Sequence, residues 1–296
     1  MSNPRFVSKA AAVLGALSLL FSIPIANASS GVTNTQSSQS QGPISTCLAV
    51  ARSIEQPGLS VRYAGPVGPV SDQTYQVSFS YQGHSTYLIE SPGGVSIATD
   101  FAGWLTDPIT PTAVTMNRAH SSHYTDFPDP KIQHVFRGWG ENGDIARHNK
   151  MVGDVLIRNV TTDILRFASI PDGNSIFIFE AAGLCIGHLG HLHHRLSEDH
   201  YAKIGRLDVV MVPVDGGLTI THASVGELLQ RLRSSVILPM HVRFAGALPQ
   251  FLARLGDDVP IIQWPDKRLT LSVRNLPEVP TVYLMPGVSN YPIYDE

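Results

Sequence analysis

Residues 187–194 read Gly-His-Leu-Gly-His-Leu-His-His, which sets four imidazoles (His188, His191, His193, His194) in eight residues directly after an apolar, strand-like run. Histidine is the commonest metal ligand and titrates nearest neutral pH, so metal or acid–base chemistry is expected here. A solvated His-rich loop, or histidines satisfied in the core, would use the same residues without chemistry. Other histidines also follow strand-like runs: Val114-Thr115-Met116 leads through Asn117-Arg118-Ala119 to His120 and His123, and Ile237-Leu238 leads through Pro239-Met240 to His241. Loops at one edge of a sheet converge, so His120, His123, His191 and His241 can meet there as a metal site.

The elements that must position these residues are mostly strands. Runs rich in β-branched and aromatic residues at 75–81, 85–90, 95–99, 113–116, 155–160, 175–179, 184–186, 209–214 and 236–238 are bounded by Gly, Pro, Asp and Asn. The first three, joined by short turns, form an antiparallel meander. Residues 224–233 form an amphipathic helix with Val225, Leu228, Leu229 and Leu232 on one face, and 249–255 form a shorter one with Pro249 in its first turn. A meander followed by strands mixed with helices indicates an α/β class with more than one sheet. From Asn275 the chain carries Pro277, Pro280, Pro286 and Pro292 and is expected to lie extended on the surface.

The 296 residues, 43% hydrophobic, suffice for a sizeable core. Residues 1–28 carry Arg5 and Lys9, an apolar run from Ala10 to Leu20, and Ala26-Asn27-Ala28, the pattern of a secretory signal peptide. The apolar run is short for a membrane span, so no stable membrane insertion is expected after cleavage. Residues 29–44 read as a flexible polar leader and 45–296 as the folded domain, exported to a periplasmic or extracellular compartment. Loss of Arg5 and Lys9 takes the formal charge from −3 to −5, which disfavours nucleic acid as a partner and leaves a small-molecule substrate. Cys47 and Cys185 can pair in an oxidising compartment or stay free.

Two motifs fail on context. Gly138-Trp139-Gly140-Glu141-Asn142-Gly143 has dinucleotide-loop spacing, but Trp139 and Glu141 sit where a pyrophosphate needs close backbone approach. Gly83-His84-Ser85 starts like a nucleophile elbow, but Tyr87 replaces the glycine that such a turn requires.

The segments Ser80–Glu90, Ile97-Ala98-Thr99-Asp100, Val114–His123, His188-Leu189-Gly190-His191 and Pro239-Met240-His241 occur in an order that resembles the metallo-β-lactamase superfamily. Within it they look most like the branch of ascorbate-6-phosphate lactonase-like and N-acyl phosphatidylethanolamine phospholipase D-like hydrolases. The resemblance implies a four-layer αββα sandwich with the site along one edge of the paired sheets. It also exposes departures. The family's H-x-H-x-D-H loop aligns with Arg118-Ala119-His120-Ser121-Ser122-His123, its bridging aspartate falls on His191, and its middle histidine falls near Thr161-Thr162-Asp163. Arg118 adds a fixed positive charge in place of a ligand. These changes imply one divalent metal rather than two, on His123, His191 and His241 with His120 as a fourth ligand or outer-shell group. Neutral imidazoles suit Zn²⁺, with Fe, Mn, Ni and Cu also open. By the same analogy His84 and Asp100 are outer-shell residues that orient a ligand. The acid partner for water is missing at Ser122, so Asp163, His188 or His194 would have to assist hydrolysis. A non-catalytic metal- or ligand-binding member of the fold is the alternative.

Overall fold

The computed structural model describes residues 43–48, 75–141, 144–165 and 169–289. The expected signal peptide and leader residues 29–42 lie outside them. The first sheet begins with the expected meander: β1 (Val77–Gly83), β2 (Thr86–Glu90) and β3 (Ser96–Ala98) pair antiparallel, followed in parallel by β4 (Ala113–Met116) and β5 (His134–Arg137). The chain then builds a second sheet from β6 (Asn149–Val152), β7 (Val155–Leu165), β8 (Ser169–Ala181), β9 (Leu184–His188), β10 (Val209–Pro213) and β11 (Val236–Met240). Helices α1 (Glu198–Ile204), α2 (His222–Leu232) and α3 (Ala247–Leu255) follow β9, β10 and β11. Of the last three strands, β12 (Ile261–Gln263) and β14 (Thr281–Leu284) join the second sheet, and β13 (Leu269–Leu271) returns to the first. The spatial orders are β13-β1-β2-β3-β4-β5 and β12-β14-β11-β10-β9-β8-β7-β6.

β10 and β11 are buried at every position, as Val-rich parallel strands covered on both faces must be. One apolar cluster joins the sheets: Val77, Phe79, Tyr87, Ile89 and Ile97 from the first meet Ile157, Phe177, Phe179, Ile186 and Met211 from the second, with Val225, Leu228 and Phe251 closing from α2 and α3. The result is the two-sheet sandwich that the sequence implied. Alternate residues on β3 and β4, Ala98, Val114 and Met116, pack with Phe101 and Ile132 in a separate cluster. This face is therefore covered by irregular chain from the 99–132 region, whereas all three described helices connect strands of the second sheet.

The segment 43–48 is clamped to the second sheet. Cys47 and Cys185 form a disulfide, which resolves the alternative that the sequence left open. The Glu180 carboxylate accepts hydrogen bonds from Thr46 N (2.8 Å), Cys47 N (3.3 Å), Ser45 Oγ and Arg158 Nε (2.8 Å). Arg158 also donates to the carbonyls of Lys203 and Ile204 at the end of α1. One expectation fails: the proline-rich tail is not all surface chain, because Thr281–Leu284 is a buried strand between β12 and β11. Pro280 and Pro286 bound that strand from outside, where the loss of an N–H costs no ladder bond. Among the described residues no helix is long and apolar enough to cross a membrane.

Candidate metal centre

Five histidines converge at the strand ends. His84 occupies the tight turn between β1 and β2, where Gly83 (φ +112°) lies against the Trp104 ring and His84 itself adopts φ +49°. The His84 carbonyl accepts the Tyr81 hydroxyl at 3.0 Å and the backbone N–H of His241 at 2.7 Å, which ties the turn to the end of β11. His120 and His123 lie on the loop after β4, closed by His123 N donating to His120 O and Asn117 N to His123 O. Gly190, at φ +59°, passes so close to Asn117, Asn174 and Ser175 that no side chain fits, and delivers His191 beyond β9. His241 follows β11 at φ +57°. Left-handed backbone at non-glycine residues costs of order 1–3 kcal/mol and clusters at functional sites. Here His84, Asp100 and His241 all show it.

The rings pack tightly. Centroids of His84 and His241 are 4.3 Å apart, those of His120 and His123 4.4 Å, and His191 lies 5.0 Å from both His123 and His241 and 5.2 Å from His120. One nitrogen each from His84, His120, His123 and His241 lies within 4.8 Å of the others. His84, His123, His191 and His241 are buried and His120 is half-buried, the most exposed of the five.

Two carboxylates stand behind these rings. Asp100 Oδ2 accepts from His123 Nδ1 at 2.7 Å, which leaves Nε2 with its lone pair toward the cluster. Asn117 Nδ2 holds the other Asp100 oxygen at 2.8 Å and is itself fixed to Ser175 of β8, so this support spans the two sheets. Asp215 Oδ1 lies 3.4 Å from His241 Nδ1, and Asp215 is held by the Leu218 N–H and the Thr219 hydroxyl. Asn174 accepts the His191 N–H at 2.9 Å and donates to Thr162.

Burial and mutual repulsion favour the neutral form of His84, His123 and His191. His84 is pushed down to about 2 by burial, with further contributions from His241, His120, Arg243 and His191. His191 is pushed down to about 3 by burial, His241 and His120. His123 is lowered by burial and then by the other histidines. Burial raises the Asp100 carboxyl against the donation from Asn117. Burial alone would raise Asp215, but His241, Thr219 and Leu218 together hold it below the usual carboxylate range. Both ring nitrogens of His191 are buried without a hydrogen-bond partner, as are those of His241 apart from the Asp215 approach. A buried unsatisfied nitrogen costs about 1–3 kcal/mol, and a cation would satisfy several at once. Neutral, converging imidazoles backed by carboxylates fit a divalent metal.

The structure brings His120, His123, His191 and His241 together and adds His84. Asp100 holds His123, while Ser122, in place of the family's aspartate, contacts His120 Nδ1 at 2.7 Å. The proposed water-assisting residues lie elsewhere. His188 is buried, with Nε2 donating to Ser85 O at 2.8 Å and Nδ1 accepting from Gly190 N; it braces the His84 turn against β9. His194 accepts from Asp163 N and donates to Arg195 O, and its ring contacts are His193 and His200. The Asp163 carboxylate accepts from Asp172 N. The Arg118 side chain is exposed, 6.0 Å over the Trp139 ring. Sequence reasoning missed Asp215, Asn117 and Asn174. The available signal for Asp215 was an acid at the end of the strand-like 209–214 run.

A sandwich of two mixed sheets with histidines and aspartates gathered from strand ends defines a metallohydrolase-type scaffold. The chain belongs to the metallo-β-lactamase superfamily: the family described as "Beta-lactamase superfamily domain" matches residues 78–241. Among solved structures it is similar to a Thermotoga maritima protein assigned to the Zn-dependent hydrolases of that superfamily, at 25% identity and TM-score 0.51, covering 71% of this chain and 98% of the other. It is also similar to Igni18, a metallo hydrolase of Ignicoccus hospitalis, at 18% identity and TM-score 0.47, covering 67% and 99%. No curated protein matches the sequence.

Proposed function

We propose that this chain is an exported, metal-dependent hydrolase with one divalent ion, best zinc, held by His120, His123 and His241 with His191 beside them. The observation that carries this reading is the convergence of ring nitrogens of His84, His120, His123 and His241 within 4.8 Å of one another, beside a buried His191 whose two ring nitrogens have no hydrogen-bond partner among the described residues. A divalent metal there would supply Lewis acidity and lower the pKa of water toward neutrality. The protein's part is positional: Asp100 and Asp215 hold the Nδ1 sides of His123 and His241, and Ser122 holds His120. The resemblance to the lactonase-like and phospholipase D-like branch favours an ester, lactone or phosphodiester substrate. The signal-like residues 1–28 and the Cys47–Cys185 disulfide favour export, since disulfides persist in oxidising compartments.

A second reading, a metal-binding member without catalysis, is favoured by one observation. Ser122 carries no acid, and Asp163, His188 and His194 are engaged in other hydrogen bonds. Elemental analysis of the purified chain beside His123→Ala and His241→Ala tests the metal: about one ion per chain, lost in both variants, supports the site, and none in the native chain overturns it. Screening lactone, phosphodiester and thioester substrates with and without chelator then separates enzyme from binder.

A further inference from the structure

We infer that His84 is a direct ligand of the metal, completing a shell of four imidazoles with His120, His123 and His241. This rests on the proposed metal centre and departs from the outer-shell role that family analogy assigns to His84. Four features of the structure carry it.

First, His84 belongs to the one group of described residues whose ligand atoms all lie within 4.8 Å of each other, a group that does not include His191. Second, His84 Nε2 lies 3.3 Å from His123 Nε2. A tetrahedral zinc with Zn–N bonds of about 2.0–2.1 Å sets its ligand nitrogens about 3.3–3.4 Å apart. The observed separation equals that between two ligand nitrogens on such an ion. Third, the His123 Nδ1 proton is engaged by Asp100, so the His123 nitrogen that faces His84 presents a lone pair. Fourth, the backbone is built to hold His84 in place. Its left-handed φ of +49° is fixed by its carbonyl, which accepts from Tyr81 and from His241, and the adjacent Ser85 carbonyl accepts from His188. Two members of the shell, His84 and His241, are thus joined by a 2.7 Å main-chain bond. An all-imidazole shell also supplies the ligand that is missing where Arg118 replaces a histidine, and it leaves His191 facing the same space with both nitrogens free of protein partners.

The test uses the full chain with ¹⁵N-labelled histidine and long-range ¹H–¹⁵N correlation, before and after one equivalent of Zn²⁺, together with zinc affinity by competition with a chromophoric chelator. The His84 Nε2 resonance is expected to move to the range of a metal-bound nitrogen. The His84→Gln variant, verified as folded by circular dichroism, is expected to bind zinc more than 100-fold more weakly, beyond the roughly 10–100-fold that losing an outer-shell partner costs. A zinc-loaded wild type in which His84 Nε2 keeps its proton or does not shift overturns this assignment and leaves the metal centre standing. A wild type that takes up no zinc overturns both. The resonance readout on the wild type needs no variant to fold.

Discussion

Asn117 joins the site to the fold, and its removal has a calculable effect. It is fully buried at the end of β4 and its side chain makes three hydrogen bonds: Nδ2 to Asp100 Oδ1 at 2.8 Å, Nδ2 to Ser175 O at 3.2 Å, and Oδ1 from Ser175 N at 2.7 Å. Asn117→Ala leaves a buried N–H and a buried carboxylate oxygen without these partners. A neutral orphan costs about 1–3 kcal/mol and a bond to a charged group is worth about 1.5–3 kcal/mol, so the expected loss is about 3–5 kcal/mol. Against a domain stability of about 5–15 kcal/mol, this leaves a folded but weakened protein. Urea titration should show the midpoint falling with an unchanged slope. Zinc affinity should fall about 10–100-fold, because Asp100 would no longer be fixed behind His123. Asn117→Asp keeps an acceptor for Ser175 N yet sets a carboxylate against Asp100, so it should destabilise at least as much as alanine. A stability loss under about 1 kcal/mol for Asn117→Ala, or full zinc affinity in the folded variant, would refute the bracing role.

Three further outcomes follow from the geometry. Gly190→Ala places a Cβ 2.4 Å from Asn117 Nδ2 and 2.9 Å from Ser175 O at φ +59°, whereas Gly94, at φ +84°, has open space around it. Gly94→Ala should therefore cost only the backbone term of about 1–2 kcal/mol, while Gly190→Ala adds about 1–3 kcal/mol of overpacking and weakens zinc binding; equal losses in denaturant titrations would contradict this. Although burial alone would raise it, the Glu180 carboxyl is held below its ordinary value by Ser45, Arg158 and the Cys47 N–H. With the folded value below the unfolded one, its stabilisation is complete above about pH 4.5 and is lost as pH falls through the folded value. Stability curves of Glu180→Gln and wild type should converge on acidification, and parallel curves down to pH 2 would count against the linkage. The disulfide spans 138 residues of sequence, so Cys47→Ser with Cys185→Ser should lower stability by about 2–5 kcal/mol. A loss under 1 kcal/mol would show that Glu180 alone holds the 43–48 segment.

The sequence pattern revealed the centre of the fold better than its borders. The meander and β4, β7, β8, β9, β10 and β11 were legible because their β-branched runs are buried. The strands that escaped notice include all four edges, β5, β6, β12 and β13. Edge strands pair on one side only and are kept short and polar, as His134–Arg137 and Asn149–Val152 are, so apolar alternation fades where they occur. The interior strand β14 was hidden for another reason, since its flanking prolines read as surface chain. Similarly, α1 carries only one buried residue, Ile204, and owes its start to the Ser197–His200 capping box rather than to an apolar stripe. In the site, strand-end position pointed to four histidines whose rings lie side by side. That His188 turns away to Ser85 O and His194 to Arg195 O was not legible, because it depends on which way each ring turns and on carbonyl partners that can lie more than a hundred residues distant, such as Ser85 O for His188.

We propose a single metal from where the carboxylates lie. Two divalent ions about 3.5 Å apart repel by roughly 20 kcal/mol at an effective dielectric of 20, and a di-metal site offsets this with anionic oxygens between the ions. By the resemblance the position of the bridging acid falls on His191, and the two aspartates stand behind His123 and His241. There they strengthen individual imidazoles but leave nothing negative between two cations. The same pocket is well matched to a single ion, whose charge is partly balanced by Asp100 and Asp215 through the rings they hold. Zinc titration should therefore saturate at one equivalent per chain, and a second equivalent of comparable affinity would mean that an anion outside these residues supplies the bridge.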